Sequence, residues 1–334
     1  MKAIALISGG LDSILAAKVI QQQGIEVIPL HCIIPFGHRR KRWQGRRPER
    51  SWQVREYLGQ ALREADIREE FLGLLCNPRH GFGSGMNPCI DCKILMLRKA
   101  AGLMREWGAA FLVSGEVVGQ RPMSQLRNTL SLIAREAGVE GLLVRPLSGR
   151  LLEETIPEKE GWIKREKLLG FSGRGRSDQI LLAQTLGVRE YAQPAGGCLL
   201  TEKGFSNRLK DLLAHTELSL RTVEIIKIGR HFRLSAQAVL AVGRDEQENA
   251  SLLELAGTGE YIFSPAGDLA GPTALGRGVF DDALLQAACR VVCRYCDRNG
   301  APGAEIAYRK TGETLELVSR VEPLGEVELD ALRL

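Results

Sequence analysis

Ser8-Gly9-Gly10-Leu11-Asp12-Ser13 follows directly on the apolar run Ile4-Ala5-Leu6-Ile7. Behind it comes an amphipathic stretch with Ile14, Leu15, Ala17, Val19 and Ile20. Apolar run, glycine turn and amphipathic stretch read as strand, loop and helix. That arrangement is a phosphate cradle. Gly9 and Gly10 let the backbone approach oxygen atoms, and free N–H groups at the helix start point at the anion. Ser8 and Ser13 add hydroxyl donors. Asp12 is out of place beside a polyanion unless it holds a magnesium ion that bridges to the phosphates. No Gly-Lys-Ser/Thr follows, so the loop is not of the Walker type.

The six residues Ser8–Ser13 resemble the SGGxDS loop of the PP-loop ATP pyrophosphatases. The resemblance implies ATP and Mg2+ as ligands, cleavage of ATP to AMP and pyrophosphate, and activation of an oxygen for displacement.

The 334 residues allow two or three domains. Charged residues make up 25% and apolar residues 44%, which is a globular composition. No apolar run approaches the roughly 20 residues of a membrane span. Gly9, Gly10 and Asp12 break the N-terminal apolar stretch, so it does not read as a signal peptide and a cytoplasmic location is expected. Eight cysteines in a reducing compartment then point to metal, redox chemistry or packing rather than disulfides.

The expected fold class is α/β, a doubly wound parallel sheet of the adenine nucleotide alpha hydrolase-like type, followed by a C-terminal α+β domain. Strands are expected at Ala3–Ile7, Glu26–His31, Glu70–Leu75, Phe111–Ser114 and Leu142–Arg145. Helices are expected at Asp12–Gln22, Ser51–Ala65, Lys93–Trp107 and Ser177–Leu186. The first domain takes residues 1–190, a connecting helical segment with Cys198 takes 191–229, and the α+β domain takes 230–334. Gly115, just past the fourth expected strand, joins Ser8–Ser13 as a nucleotide-binding position, with Gln120 and Arg121 downstream.

Cys89-Ile90-Asp91-Cys92 is a CxxC at a helix start, where thiol pKa values fall and two thiols can share a metal. Cys198 sits in the glycine loop Gln193–Cys198. Three thiolates suit a [4Fe–4S] cluster with one open iron, the alternatives being a structural zinc or a CxxC that only caps the helix. A PP-loop domain with a CxxC and a third cysteine about a hundred residues later is similar to the cluster-dependent tRNA thiouridine synthetases. That similarity implies Cys89, Cys92 and Cys198 as cluster ligands, with Cys89 and Cys198 catalytic beside Asp12; resemblance to the persulfide-type thiouridylases implies instead one of the CxxC pair and Cys198 as sulfur carrier and resolving thiol. It also implies tRNA as substrate and a sulfur donor, which could be a cysteine desulfurase, a carrier protein or sulfide. Cys289, Cys293 and Cys296 share one helical face and read as core, as do Cys32 and Cys76.

Residues 39–50 hold Arg39, Arg40, Lys41, Arg42, Arg46, Arg47 and Arg50 around Trp43. So many cations cannot pack in a core; they read as RNA phosphate contacts with Trp43 free to stack. Arg174 and Arg176 form a smaller basic loop that could face ATP, RNA or solvent. The segment Val242–Asn249 with Gly271-Pro272 resembles the NFACT-R RNA-binding domain, and Asp245 can cap a helix there.

The reading is an ATP-dependent tRNA thiolase. Its rivals are a PP-loop ligase that forms an amide or nitrile and holds structural zinc, and a non-catalytic nucleotide- and RNA-binding protein. Which uridine is thiolated, the sulfur donor and the oligomeric state are not legible.

Overall fold

A computed structural model describes residues 1–36, 49–191 and 198–334. The expected RNA contacts Arg39, Arg40, Lys41 and Arg42, with Trp43, lie outside the described residues. The chain forms two compact units, Met1–Leu200 and Thr201–Leu334.

The first unit is a parallel sheet between two helical layers. Its strands are β1 (Lys2–Leu6), β2 (Glu26–Ile33), β3 (Arg63–Asp66), β4 (Phe111–Val113) and β5 (Leu143–Val144), in the order β3-β2-β1-β4-β5. Its helices are α1 (Leu11–Gln21), α2 (Arg50–Leu58), α3 (Arg68–Cys76), α4 (Cys89–Trp107), α5 (Arg127–Glu136), α6 (Ile156–Lys159) and α7 (Ser177–Thr185). Alternation along β1 assigns the layers. Ala3 and Ala5 pack with Leu15, Val54 and Ala183, from α1, α2 and α7. Ile4 packs on the other face with Leu97 and Ile133, from α4 and α5.

The strand order reverses between β1 and β4, which pair in parallel with Ala3 opposite Phe111. In such sheets the loops leaving the two strands diverge there and open a crevice for ligands. The loops in question are Ser8–Ser13 and the segment that begins at Ser114.

The third strand departs from expectation. Residues 70–75 lie inside α3, and β3 is Arg63–Asp66, where the expected helix Ser51–Ala65 was to end. β3 is an edge strand with only Ala65 buried, so it shows no hydrophobic alternation. Phe71, Leu72 and Leu75 form the buried face of α3, and six residues cannot distinguish such a face from a strand. α5 was not expected at all.

The second unit begins with α8 (Lys203–His215) and α9 (Leu220–Ile226), the helices of the expected connecting segment. Its antiparallel sheet comprises β6 (Arg230–Ser235), β7 (Ala238–Val242), β8 (Tyr261–Pro265), β9 (Ala274–Gly278), β10 (Ala304–Lys310) and β11 (Glu316–Val321), ordered β11-β10-β8-β9-β7-β6. The remaining helices are α10 (Glu246–Leu255), α11 (Asp282–Arg294) and α12 (Glu326–Leu332). One sheet face packs Phe232, Leu240, Phe263 and Ile306 against α11, with Cys289, Cys293 and Cys296 inside that core. The opposite face buries Ala241, Ile262 and Leu275 against Ile225 and Leu252. Asp245 caps α10, accepting from the Glu248 amide at 2.9 Å. No helix among the described residues is long and apolar enough to cross a membrane.

Candidate functional site

The site is built at the carboxyl end of β1. Gly9 takes φ +80°, a left-handed conformation that favours glycine. Gly10 is the N-cap of α1 and supplies no side-chain acceptor, so the first-turn amides of the helix have no side-chain cap. Inside the loop the hydroxyls hold the turn: Ser13 Oγ donates to the Gly10 carbonyl at 2.8 Å, and the Gly10 amide donates to Ser8 Oγ at 3.3 Å. Leu11 is fully buried and anchors the helix start in the core. Uncapped amides at the positive end of a helix dipole form an anion site.

Cations gather round this site. Arg50, the last cation of the basic run and the first residue of α2, lies across the loop; a Cβ on Gly9 would come within 3.0 Å of its Nε. Beneath, the His31 ring bonds the Ile7 carbonyl at 3.0 Å, and burial with the field of Arg50 lowers its pKa to about 4. Arg176 Nη2 stands 3.8 Å from Asp12 Oδ1. Of the two arginines in the small basic loop, Arg176 faces the phosphate loop and Arg174 is exposed.

Gly115 explains the closeness of the two strand-end loops. A Cβ there would sit 2.6 Å from the backbone of Asp12 and Ser13, so only glycine lets the β4 loop lie against the start of α1. The next residue, Glu116, is buried. It accepts from Arg145 Nε at 2.9 Å and Ser114 Oγ at 3.0 Å, and faces Lys93 Nζ at 3.7 Å. Burial opposes its charge, but Lys93, Arg145 and Ser114 together hold its pKa below the usual carboxylate range. Lys93 follows Cys92 on α4, so this ion pair ties the cysteine helix to the β4 loop.

The segment after Glu116 touches both chemistries. Gln120 Nε2 donates to Asp12 Oδ2 at 3.0 Å. Four residues on, Ser124 Oγ accepts from Cys89 Sγ at 3.1 Å. Between them, Arg121 acts electrostatically on both Asp12 and Cys198. This segment also carries the small basic loop, through a parallel bridge of Val118 with Ser172. The sequence drew attention to Gln120 and Arg121 without placing them; Ser124, Lys93 and Arg145 carry no motif that would have marked them.

Asp12 is largely buried. That burial raises its pKa, against the Gln120 hydrogen bond and the fields of Arg176 and Arg121. Its Oδ1 is buried and accepts no hydrogen bond among the described residues. A buried carboxylate oxygen with an open lone pair, beside a phosphate cradle, fits a hard cation such as Mg2+.

The cysteines partly depart from expectation. α4 starts at Cys89, so both members of the CxxC lie in its first turn. The expected lowering of thiol pKa does not occur at Cys92: burial raises it, Lys93 opposes, and the neighbouring thiols Cys89, Cys198 and Cys32 raise it further. Burial also raises the pKa of Cys198, with Cys89 adding to the effect and Arg121 opposing. The Cys198 thiol points toward the Phe36 carbonyl at 4.0 Å. The three thiols therefore sense one another. Among the described residues, however, no group of three or more His, Cys, Asp or Glu is gathered to hold a metal ion. The trio suits an iron–sulfur cluster in donor type and does not form a ligand set in this arrangement. Cys32 is buried and pushed up to about 11, whereas Cys76 is exposed, contrary to its reading as core.

Two family models match the chain. Residues 1–157 match the family described as thiamine biosynthesis protein (ThiI), and residues 229–333 match the NFACT protein RNA binding domain. A protein named probable tRNA sulfurtransferase, from Thermococcus kodakarensis, is 30% identical over 165 residues, covering 46% of this chain and 39% of its own. One of the same name from Methanobrevibacter smithii is 28% identical over 173 residues, covering 50% and 43%. The chain thus spans less than half the length of the curated relatives it matches. A solved 4-thiouridine synthetase–RNA complex with bound ATP aligns at 22% identity with a TM-score of 0.32, covering 56% of this chain and 51% of that one. The protein consists of a ThiI-like unit, a doubly wound α/β sheet, followed by an NFACT-R-like unit built on an antiparallel sheet.

Proposed function

We propose that the protein is an ATP-dependent tRNA sulfurtransferase. The observation that supports this reading is the short segment Gln120–Ser124, which bonds the carboxylate of the phosphate loop at one end, Gln120 to Asp12 at 3.0 Å, and the Cys89 thiol at the other, Ser124 to Cys89 at 3.1 Å. An adenylating site and a sulfur-handling site must stand side by side for one carbon to visit both.

ATP sits with its phosphates on Ser8–Ser13, over the uncapped amides of α1 and under Arg50 and Arg176. Asp12 Oδ1 would hold Mg2+, which neutralises phosphate charge and makes pyrophosphate a better leaving group. The uridine carbonyl oxygen attacks the α-phosphorus, the bond to the β-phosphate oxygen breaks, and pyrophosphate leaves. The base carbon now bears adenylate. A sulfur nucleophile attacks that carbon, and AMP departs with the former carbonyl oxygen. Positioning and charge stabilisation supply much of the acceleration.

Cys89 and Cys198 serve the sulfur step. Cys89 at the amino end of α4 bonds Ser124, which fixes its thiol beside the adenylating loop. A [4Fe–4S] cluster would need Cys89, Cys92 and Cys198 drawn into one ligand set, which they do not form in this arrangement, so the thiols themselves handle the sulfur. The donor is a cysteine desulfurase, a carrier protein or sulfide; with sulfide the S–C bond forms as the C–O bond to AMP breaks and no change of oxidation state is needed. The NFACT-R-like unit, with the basic run at 39–50, supplies tRNA binding, and the enzyme works in the cytoplasm.

The test couples two readouts from one incubation of protein, ATP, sulfide and tRNA. Pyrophosphate release that depends on tRNA, with thiouridine in the digested nucleosides, is the expected result. ATP cleavage indifferent to tRNA, or modified nucleosides without sulfur, overturns the proposal.

A further inference from the structure

β11 is an edge strand left open. Among the described residues its outer side pairs with nothing, whereas the opposite edge strand, β6, is met by Arg333 through a bridge at Phe232. Natural edges are blunted with charged side chains, proline or a bulge. Glu316-Leu317-Val318-Ser319-Arg320-Val321 has no proline or bulge, its register to β10 is unbroken, and its two charges, Glu316 and Arg320, are of opposite sign and so admit a partner that pairs them. Apolar side chains stand out along it: Leu315 is 63% exposed, Leu317 45% and Val318 56%. Such an edge is a template for another strand.

The geometry points to a second copy of this chain as the occupant, paired antiparallel through β11 with the twofold axis at Val318. An axis normal to the sheet keeps each side chain on its own face, so it must pass through a residue that meets itself. With the axis at Val318, Glu316 lies opposite Arg320 of the second copy, and the reverse pair follows by symmetry. Leu317 meets Ser319, and Leu315 meets Val321. Shifting the axis to Ser319 sets Glu316 against Glu322. Shifting it to Leu317 leaves Glu316 facing Val318 and Arg320 facing Thr314. Placing it on Glu316 or Arg320 sets like charges together. An axis at Val321 would set Arg320 against Glu322 but leaves only Val321 itself paired strand to strand, so the Val318 axis alone matches opposite charges along the length of β11.

The pattern continues inward. Within one chain Arg309 faces Glu316 and Glu305 faces Arg320 across β10 and β11. Dimerisation extends each pair into a row of four alternating charges: Arg309, Glu316, then Arg320 and Glu305 of the second copy. Cross-strand opposite charges stabilise sheets and like charges destabilise them. Two six-stranded sheets would join into one of twelve.

Sedimentation velocity over a concentration series tests the pairing on the full chain. The wild type is expected to dimerise reversibly. Glu316→Arg replaces two attractions by two repulsions and should weaken the dimer by at least about tenfold. Glu316→Arg and Arg320→Glu, made together with Arg309→Glu and Glu305→Arg so that the pairs within each chain also keep opposite charges, restore the alternating row across the axis and should recover dimerisation. Circular dichroism checks each fold. Should the swapped pair fail to fold, Val318→Cys gives an independent reading: cross-strand partners lie about 4.5–5.5 Å apart at Cα, within disulfide reach, so mild oxidation should cross-link this variant above the wild-type background. A wild type that stays monomeric overturns the proposal. So does a dimer indifferent to Glu316→Arg, one not rescued by the swap in a folded protein, or a Val318→Cys variant that does not cross-link.

Discussion

Gln120 Nε2 donates to Asp12 Oδ2 at 3.0 Å, across the crevice between the β1 and β4 loops. The bond occupies one carboxylate oxygen and leaves Oδ1, which accepts no hydrogen bond among the described residues, as the open one. Asp12→Ala should lower tRNA-dependent pyrophosphate release by at least about a hundredfold, since a metal contributes several kcal/mol to such a step. Gln120→Ala frees the carboxylate to rotate and should cost about tenfold. Pyrophosphate assays at saturating tRNA read both, and normal turnover by the Asp12 variant would remove it from the site.

Gly115→Ala is the smallest change that should open the crevice. Its Cβ would meet Asp12 and Ser13 backbone at 2.6 Å, which cannot relax by a rotamer change. Overpacking of this kind costs about 1–3 kcal/mol, part of it as displacement of the phosphate loop. The KM for ATP should rise about tenfold while the melting temperature falls by only a few degrees. An unchanged KM would show that the loops are not coupled.

Separating the two half-reactions isolates the thiols. Cys198→Ser and Cys89→Ser should still release pyrophosphate with tRNA present and yield no thiouridine. Iron analysis of anaerobically prepared protein gives the form of the sulfur carrier: iron in the wild type, lost in the triple serine variant of Cys89, Cys92 and Cys198, assigns the cluster there. Iron retained by the triple variant would move it elsewhere.

His231 provides a pH readout of the second unit. Its Nε2 donates to the Ile228 carbonyl at 2.7 Å, and burial, with the fields of Arg208, Arg277 and Arg244, lowers its pKa to about 3. The unfolded chain binds that proton near pH 6.5 and the folded unit does not. Stability from the neutral ring is therefore complete above pH 6.5 and falls as the pH drops toward 3. On the order of 2 kcal/mol should be lost between pH 7 and pH 5. Urea titrations of wild type and His231→Asn should diverge in slope over that window; parallel curves would refute it.

Alanine at Arg39, Arg40, Lys41 and Arg42 should weaken tRNA binding and flatten its salt dependence, the log–log slope dropping by about 0.7–0.9 per lost phosphate contact. ATP affinity should hold. An unchanged slope would remove the run from the RNA surface.

The parts of the protein that the sequence disclosed are those governed by local rules. Ser8–Ser13 needs its own residue types wherever it occurs, and β1, β2 and β4 are buried on both faces and so read as apolar runs. Ala65 is the lone buried residue of β3, so that strand carries no apolar pattern, while the buried Phe71, Leu72 and Leu75 of α3 imitate one. Asp12 was legible as a metal ligand from its misfit with phosphate. Its bond to Gln120 was not, since 108 residues separate the two. Nor could spacing show that burial would override the helix start at Cys92, because burial is a property of what packs above it.

The placement of the cysteines gives the protein a built-in map for alkylating reagents. Cys289, Cys293 and Cys296 are sealed in the core of the second unit and Cys32 is sealed in the first, while Cys76 stands open. Native labelling will mark Cys76 first. Protection of the remaining accessible thiols by ATP, tRNA or iron can then be scored at Cys89, Cys92 and Cys198 alone, with the second unit silent until it unfolds.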